Sequence, residues 1–224
     1  MAKGIIYTSK DKIETCRSNT TYIKNPLKLN KELQILDKTR TELNLTGSVL
    51  NQQTYEIVSM FSSIKRLFLS NVNIIASELK HFQLLSNLSY LYLDNTNMAD
   101  GGLKHLQVLR NLQCLCLGNT RVADDGARYL QVHQSLQVLR LNNTNITDKG
   151  MRHIAKLSKL ATLSLNNVKM ADAGIKYIIK LKNIQHLHLN GTGITDKYVE
   201  ILQNSLPNLK SILFNGRAFQ PVIA

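Results

Sequence analysis

Residues 136–148 read LQVLRLNNTNITD, and the chain rewrites this stretch at a constant interval. Twenty-four residues earlier stands LQCLCLGNTRVAD (112–124), and 24 earlier again LSYLYLDNTNMAD (88–100). Forward, the same interval gives LATLSLNNVKMAD (160–172) and IQHLHLNGTGITD (184–196). A weaker copy, IKRLFLSNVNI, occupies 64–74. The degenerate ends read TELNLTGSVL at 41–50 and LKSILFNG at 209–216, the last displaced by one residue. The second leucine of each copy falls at Leu43, Leu67, Leu91, Leu115, Leu139, Leu163 and Leu187, with Ile212 as the displaced eighth. A fixed period of this length, carrying LxxLxL, is the signature of a solenoid.

Within one unit, Leu139 and Leu141 alternate with Val138, Arg140 and Asn142, the period-two pattern of a short strand with one buried face. Asn143 and Thr144 turn the chain, and Ile146 returns to the interior. After Asp148, the residues Met151, Ile154 and Leu157 recur at helical spacing. The unit is strand, turn, short helix, turn. Neither element can bury its apolar edge alone, so stability must come from stacking on neighbouring units.

Three columns repeat with the strands. Asp100, Asp124, Asp148, Asp172 and Asp196 stand where a helix needs an N-cap, which predicts carboxylates accepting from their own helix starts. Gly102, Gly126, Gly150 and Gly174 follow two residues later, where neighbouring coils are expected to approach closely. Thr96, Thr120, Thr144 and Thr192 are read as hydroxyls satisfying turn backbone, with Val72 and Val168 keeping only the shape. A calcium ladder is a poor reading of the aspartates, because one carboxylate per coil makes no oxygen cage.

The unit LxxLxLxxTxITDxGLxxL resembles the leucine-rich repeats of F-box-associated receptor subunits and of bacterial leucine-rich-repeat effector proteins. The resemblance covers residues 40–216. It implies an α/β leucine-rich repeat solenoid, or horseshoe, of about eight 24-residue repeats, with a parallel sheet on the concave face and short helices on the convex face. It also implies a protein-binding surface without catalytic residues. The LPxE-type module of the F-box has no counterpart; NPLKLNKELQILDK is the nearest stretch, which argues against a ubiquitin-ligase role.

The organisation expected is a basic N-terminal segment with a capping helix over residues 1–39, the repeats over 40–216 and a tail over 217–224. Asn30 followed by KELQIL reads as a helix start covering the first coil, and the apolar tail either folds over the last coil or mediates self-association. The chain carries 28 basic against 15 acidic residues, a formal charge of +13. Such a balance favours anionic partners: nucleic acid, an anionic surface or an acidic protein. No apolar run approaches the length of a membrane span, and MAKGIIYTSKDK lacks the apolar core of a signal peptide. The expected location is cytoplasmic, or a host cell if the protein is a delivered effector. Cys114 and Cys116, at i and i+2 on one strand, are about 7 Å apart at Cα, too far for an unstrained bridge.

Two surfaces are candidates for binding. On the concave sheet, the residues flanking the buried leucines include Arg66, Phe68, Tyr90, Tyr92, Cys114, Cys116, Arg140, His186 and His188. Aromatic side chains there offer large, rigid contacts to a protein partner. On the helical flank, Lys80, Lys104, Arg128, Arg152 and Lys176 occupy one position in five successive coils, an array that could meet phosphates or carboxylates. The cysteine and histidine pairs are three coils apart, roughly 14 Å at strand spacing, so they form no zinc site. No phosphate loop, GxSxG or HExxH is present, and no cofactor is expected. The reading is a non-enzymatic protein-interaction module, with nucleic-acid or anionic-surface binding through the flank as the alternative.

Overall fold

The computed structural model describes residues 25–220. The N-terminal basic stretch up to Lys24 and the last four residues, with Val222 and Ile223, lie outside the described residues. Eight strands follow the repeat: β1 Glu42–Asn44, β2 Arg66–Phe68, β3 Tyr90–Tyr92, β4 Cys114–Cys116, β5 Val138–Arg140, β6 Thr162–Ser164, β7 His186–His188 and β8 Ser211–Phe214. They pair in sequence order and in parallel, with Leu43 opposite Leu67, Leu67 opposite Leu91, and so on to Leu187 opposite Ile212. The expected α/β solenoid is therefore the observed one. A ninth strand, β9 Arg217–Phe219, turns back antiparallel on β8. Its two-residue turn uses Asn215 and Gly216, both with positive φ, the turn whose twist matches a hairpin.

The strands are only three or four residues long because the chain must leave the sheet at each coil. The departure is made by a left-handed residue in every described coil: Asn71, Asn95, Asn119, Asn143 and Asn167 have φ of 55–60°, with Gly47, Gly191 and Gly216 at the matching positions. Asparagine and glycine tolerate this conformation where other residues are penalised. The left-handed turn aims each N–H at the next coil, as in Asn119 N–H to the Asn142 carbonyl at 2.8 Å and Asn143 N–H to Asn166 at 2.8 Å. Just beyond, Thr96, Thr120 and Thr144 each donate to the carbonyl three residues back at 2.7 Å, as expected of that column.

The outer layer comprises α1 Pro26–Ile35, α2 Gln52–Ser59, a 3-10 helix Ala76–Leu84, α3 Asp100–Leu106, α4 Asp124–Leu130, α5 Asp148–Ile154, α6 Ile175–Ile178 and α7 Lys197–Ser205. Helix α1 packs on α2. Asn30 is buried inside α1 and is not its cap; Asn25 is, accepting from Leu27 at 2.9 Å. Asn30 instead donates to Asn51 at 2.9 Å and accepts from Thr54 at 2.7 Å, tying the end helix to the first coil.

The aspartate column corrects the capping expectation. Asp196 stands at the N-cap of α7, but its side chain accepts no capping bond. In the earlier coils the N-cap positions are Ala99, Ala123, Thr147 and Ala171, and each aspartate is already the first helical residue. Its carboxylate reaches across to the next coil. Asp100 accepts from Ala123 N–H at 2.7 Å. Asp124 accepts from Thr147 N–H at 2.8 Å, from Gly150 N–H at 2.9 Å and from the Thr147 hydroxyl at 2.6 Å. Asp148 and Asp172 repeat this with Ala171 and Thr195. The orphan donors of a helix start are thus satisfied by the preceding coil. Gly126, Gly150 and Gly174 are required by the same contact: a Cβ at Gly174 would stand 2.5 Å from an Asp148 carboxylate oxygen, whereas one at Gly102 would meet Met98 Sδ at 2.6 Å.

The core is a single stack of leucine and isoleucine, with Leu91, Leu115, Leu139, Leu163 and Leu187 fully buried. A histidine interrupts one of its columns. His133 lies in the column of Phe61, Leu85, Leu109, Leu157 and Leu181, is 1% exposed, and places Nδ1 3.0 Å from the Leu109 carbonyl. Burial pushes its pKa down from 6.5 to about 4, so the imidazole is neutral and donates from Nδ1.

Candidate functional site: the concave face

Each inner strand contributes two side chains to the concave surface, and parallel register stacks them into columns. In β2 and β3 this places Phe68 beside Tyr92, with ring centroids 4.5 Å apart and planes 1° from parallel. Cys114 and Cys116 continue the same apolar cluster, with Tyr90 and Val138 packed at its margin. This second, small core sits on the sheet face opposite the leucines. Phe68 and Tyr92 are consequently buried, Tyr90 is half-exposed and Arg66 is exposed. Cys116 has 0% exposure, so it supports the face from beneath and presents no surface of its own. Sequence alternation shows which way a side chain points, but not that its neighbours on adjacent strands will cover it.

The margin carries the polar groups. Arg66 lies over the Tyr90 ring at 5.2 Å and forms an ion pair with Glu42 at 3.7 Å. The Tyr90 hydroxyl is 3.4 Å from Gln113 Oε1. On the other side Arg140, half-buried, sits among ionisable neighbours: Tyr92, Asp94, Cys114, Cys116 and His188 all feel its charge. The two thiols are free, with sulfurs 3.9 Å apart. The contact between the thiols, with the Arg140 charge, holds the Cys114 thiol below its ordinary range, while the same contact and burial push the Cys116 thiol up. Burial raises the Tyr92 phenol and also the Asp94 carboxyl, although Asp94 accepts from Gly118 N–H at 2.9 Å.

Beyond Arg140 the face turns polar. Ser164, buried, donates to Asn142 at 2.6 Å and lies 3.4 Å from His188 Nδ1. His186 Nδ1 is 2.9 Å from the Ser211 hydroxyl. Burial, with Arg140 and His186 nearby, holds the His188 imidazole below its ordinary range. Sequence reasoning singled out the residues flanking the leucines but passed over Asp94, Asn142 and Asn166. Their column was readable at the same interval; it accepts the backbone N–H of the following coil at 2.8–2.9 Å.

The cysteine pair on β4 and the histidine pair on β7 are separated by two intervening strands. Among the described residues, no group of three His, Cys, Asp or Glu side chains is placed to hold a metal ion. The arrangement is a stacked aromatic centre, a half-exposed tyrosine and arginines on both sides. The helical flank presents Lys80, Lys104, Arg128, Arg152 and Lys176, all exposed and on successive coils. No described helix is long and apolar enough to cross a membrane.

No protein-family model matches the chain, and no curated protein does. Among solved structures it is similar to internalin C2 from Listeria monocytogenes, at 19% identity and a TM-score of 0.58, over 83% of each chain. It is also similar to a leucine-rich-repeat protein of Leptospira interrogans, at 20% identity and a TM-score of 0.55, over 85% of this chain. The match spans about half of that longer protein, 51% of its length. With the observed parallel register and repeat, these likenesses identify the fold as a leucine-rich-repeat solenoid.

Proposed function

We propose that this chain is a protein-interaction module that takes its partner on the concave face, centred on Tyr90 and bounded by Arg66 and Arg140. The observation supporting this is the second apolar cluster: a sheet face meant only for water has no reason to stack Phe68 on Tyr92 and seat two thiols beside them. Rigid aromatic anchors flanked by arginine are the residue types that dominate binding energy at interfaces. Preorganisation by the stack lowers the entropy lost on association. The setting is a cytoplasm, either the cell's own or a host's, as for a delivered effector; the resemblance to F-box-associated repeats would make the module an adaptor. The antiparallel β8–β9 hairpin ends the sheet with an edge strand, which is where self-association would occur.

A second reading places nucleic acid on the helical flank. It is favoured by four cations, Lys104, Arg128, Arg152 and Lys176, that have no carboxylate within ion-pair distance among the described residues. Capture experiments with the immobilised full chain, with and without nuclease, separate the two. A protein retained after nuclease treatment and lost on Tyr90→Ala supports the concave face. Retention that vanishes with nuclease transfers the function to the flank.

A further inference from the structure

The helical flank carries a second regularity beside its cations. Met60, Leu84 and Val108 stand one repeat apart, and they are 60%, 57% and 51% exposed. Val132, half-exposed, continues the column, which then becomes Lys156 and Lys180. Single exposed apolar residues are ordinary on a protein surface, but an in-register line over consecutive coils is a contiguous patch. In three of these coils a cation lies four residues earlier, Lys80 before Leu84, Lys104 before Val108 and Arg128 before Val132, about one helical turn away, whereas Met60 follows Glu56.

The aspartate column of the same coils is engaged elsewhere, while exposed Glu56 and Asp125 lie beside the row. Asp100, Asp124, Asp148 and Asp172 turn inward to accept backbone N–H groups of the following coil. Only Lys80 has a close carboxylate, Glu78 at 3.8 Å. The next column adds aromatic rings at the boundary: Arg128 lies 4.7 Å from the Tyr129 ring and Lys176 5.1 Å from that of Tyr177. Apolar tips, cations and amphipathic tyrosines along one edge are the chemistry of a lipid headgroup boundary.

We infer that this edge docks on an anionic membrane surface, with Met60, Leu84 and Val108 entering the headgroup layer and Lys104, Arg128 and Arg152 meeting lipid phosphates. The row projects one side chain per coil. A yielding lipid interface accommodates such projections, whereas an amphipathic helix binds by laying its face into a groove. The inference goes beyond the concave-face reading and does not depend on it: a chain docked by its outer edge leaves the concave sheet open to a protein.

The test is co-sedimentation of the full chain with vesicles of phosphatidylcholine alone and of phosphatidylcholine with phosphatidylserine. The expected result is binding to the anionic vesicles only, weakened at least about tenfold by Met60→Ser with Leu84→Ser and Val108→Ser, and equally by Lys104→Glu with Arg128→Glu and Arg152→Glu. Tyr90→Ala should bind these vesicles as wild type does. Circular dichroism confirms that each variant is folded, and Lys104→Gln with Arg128→Gln and Arg152→Gln serves if the reversals are not. No binding to anionic vesicles overturns the proposal. So does binding that the serine variant leaves intact, since that is charge attraction without docking. Preference for a soluble acidic helix or for single-stranded nucleic acid over the vesicles, lost in the same charge variant, also overturns it.

Discussion

The outer layer and the concave face share one repeat but use it in opposite ways. On the outside, the Asp and Gly columns return almost unchanged, because Asp100, Asp124, Asp148 and Asp172 each bond the following coil and Gly126, Gly150 and Gly174 make room for those carboxylates. On the inside, the residues between the buried leucines change at nearly every coil, from Arg66 and Phe68 through Tyr90, Tyr92, Cys114 and Cys116 to His186 and His188. The repeating columns carry contacts between coils, and altering one alters the stack. The changing columns also touch from coil to coil, as in the Phe68–Tyr92 stack, but through side chains that differ at each coil, so they are where a surface can be specific to one partner. The coil of the 3-10 helix shows the difference from the other side. It has Ala76 where the following coils have aspartate, and a different joint is made there: the Asn97 side chain accepts from Ile74 N–H at 2.6 Å and donates to the Ile74 carbonyl at 3.0 Å. The coils are thus joined through another donor and another acceptor, and buried backbone groups still find partners.

The largest effect expected is in the leucine column. Leu139→Ala should lower stability by about 2–5 kcal/mol, since Leu139 is fully buried and truncation leaves a cavity. Val138→Ala on the concave side should cost clearly less. Equal urea midpoints for the two would break the distinction between repeating and changing columns.

Next is the histidine in that core. His133 is neutral in the fold with a pKa of about 4, against 6.5 when unfolded. Below pH 6.5 the unfolded chain binds the extra proton, so stability falls as pH drops from 6.5 toward 4. The loss is on the order of 3 kcal/mol across that window and ceases below it. His133→Leu should remove this slope and restore the column, and melts at pH 7 and pH 4.5 of both proteins check it. A variant with an undiminished slope would assign the acid sensitivity elsewhere.

Asp124→Ala removes the acceptor of three hydrogen bonds to the next coil and should cost about 1–3 kcal/mol. Asp125→Ala, one residue on and outside this contact, should stay within about 0.5 kcal/mol. Were both equally tolerated, the aspartate column would be inherited rather than structural. The smallest effect is at the left-handed turn. Asn119→Ala should cost about 1 kcal/mol for its φ of 56°, while Asn119→Gly should be nearly neutral.

Much of this was legible in the sequence. The interval of LxL placed the eight parallel strands and their register, though not the antiparallel β9, and the threonine and glycine columns did what their chemistry suggested. The aspartates were misread because spacing along the chain puts a residue at a helix start without saying whose N–H groups its carboxylate meets. That is a property of stacking. His133 could have been found by the same alignment, as the histidine in a column of leucines. The covering of Tyr92 and Cys116 could not, because it depends on how side chains of adjacent strands lean on one another. The concave residues named from sequence do share one face, yet the stack of Phe68 on Tyr92 leaves Tyr90 as the exposed aromatic anchor.

The most direct test of the concave-face proposal is a titration of the purified captured protein against three forms of the chain at low and high salt. The forms are wild type, Tyr90→Ala, and the triple reversal Lys104→Glu, Arg128→Glu and Arg152→Glu. The account predicts that Tyr90→Ala loses at least 2 kcal/mol of affinity, about thirtyfold, and that the reversal chiefly slows association and flattens the salt dependence. A partner that binds Tyr90→Ala as tightly as wild type would contradict it.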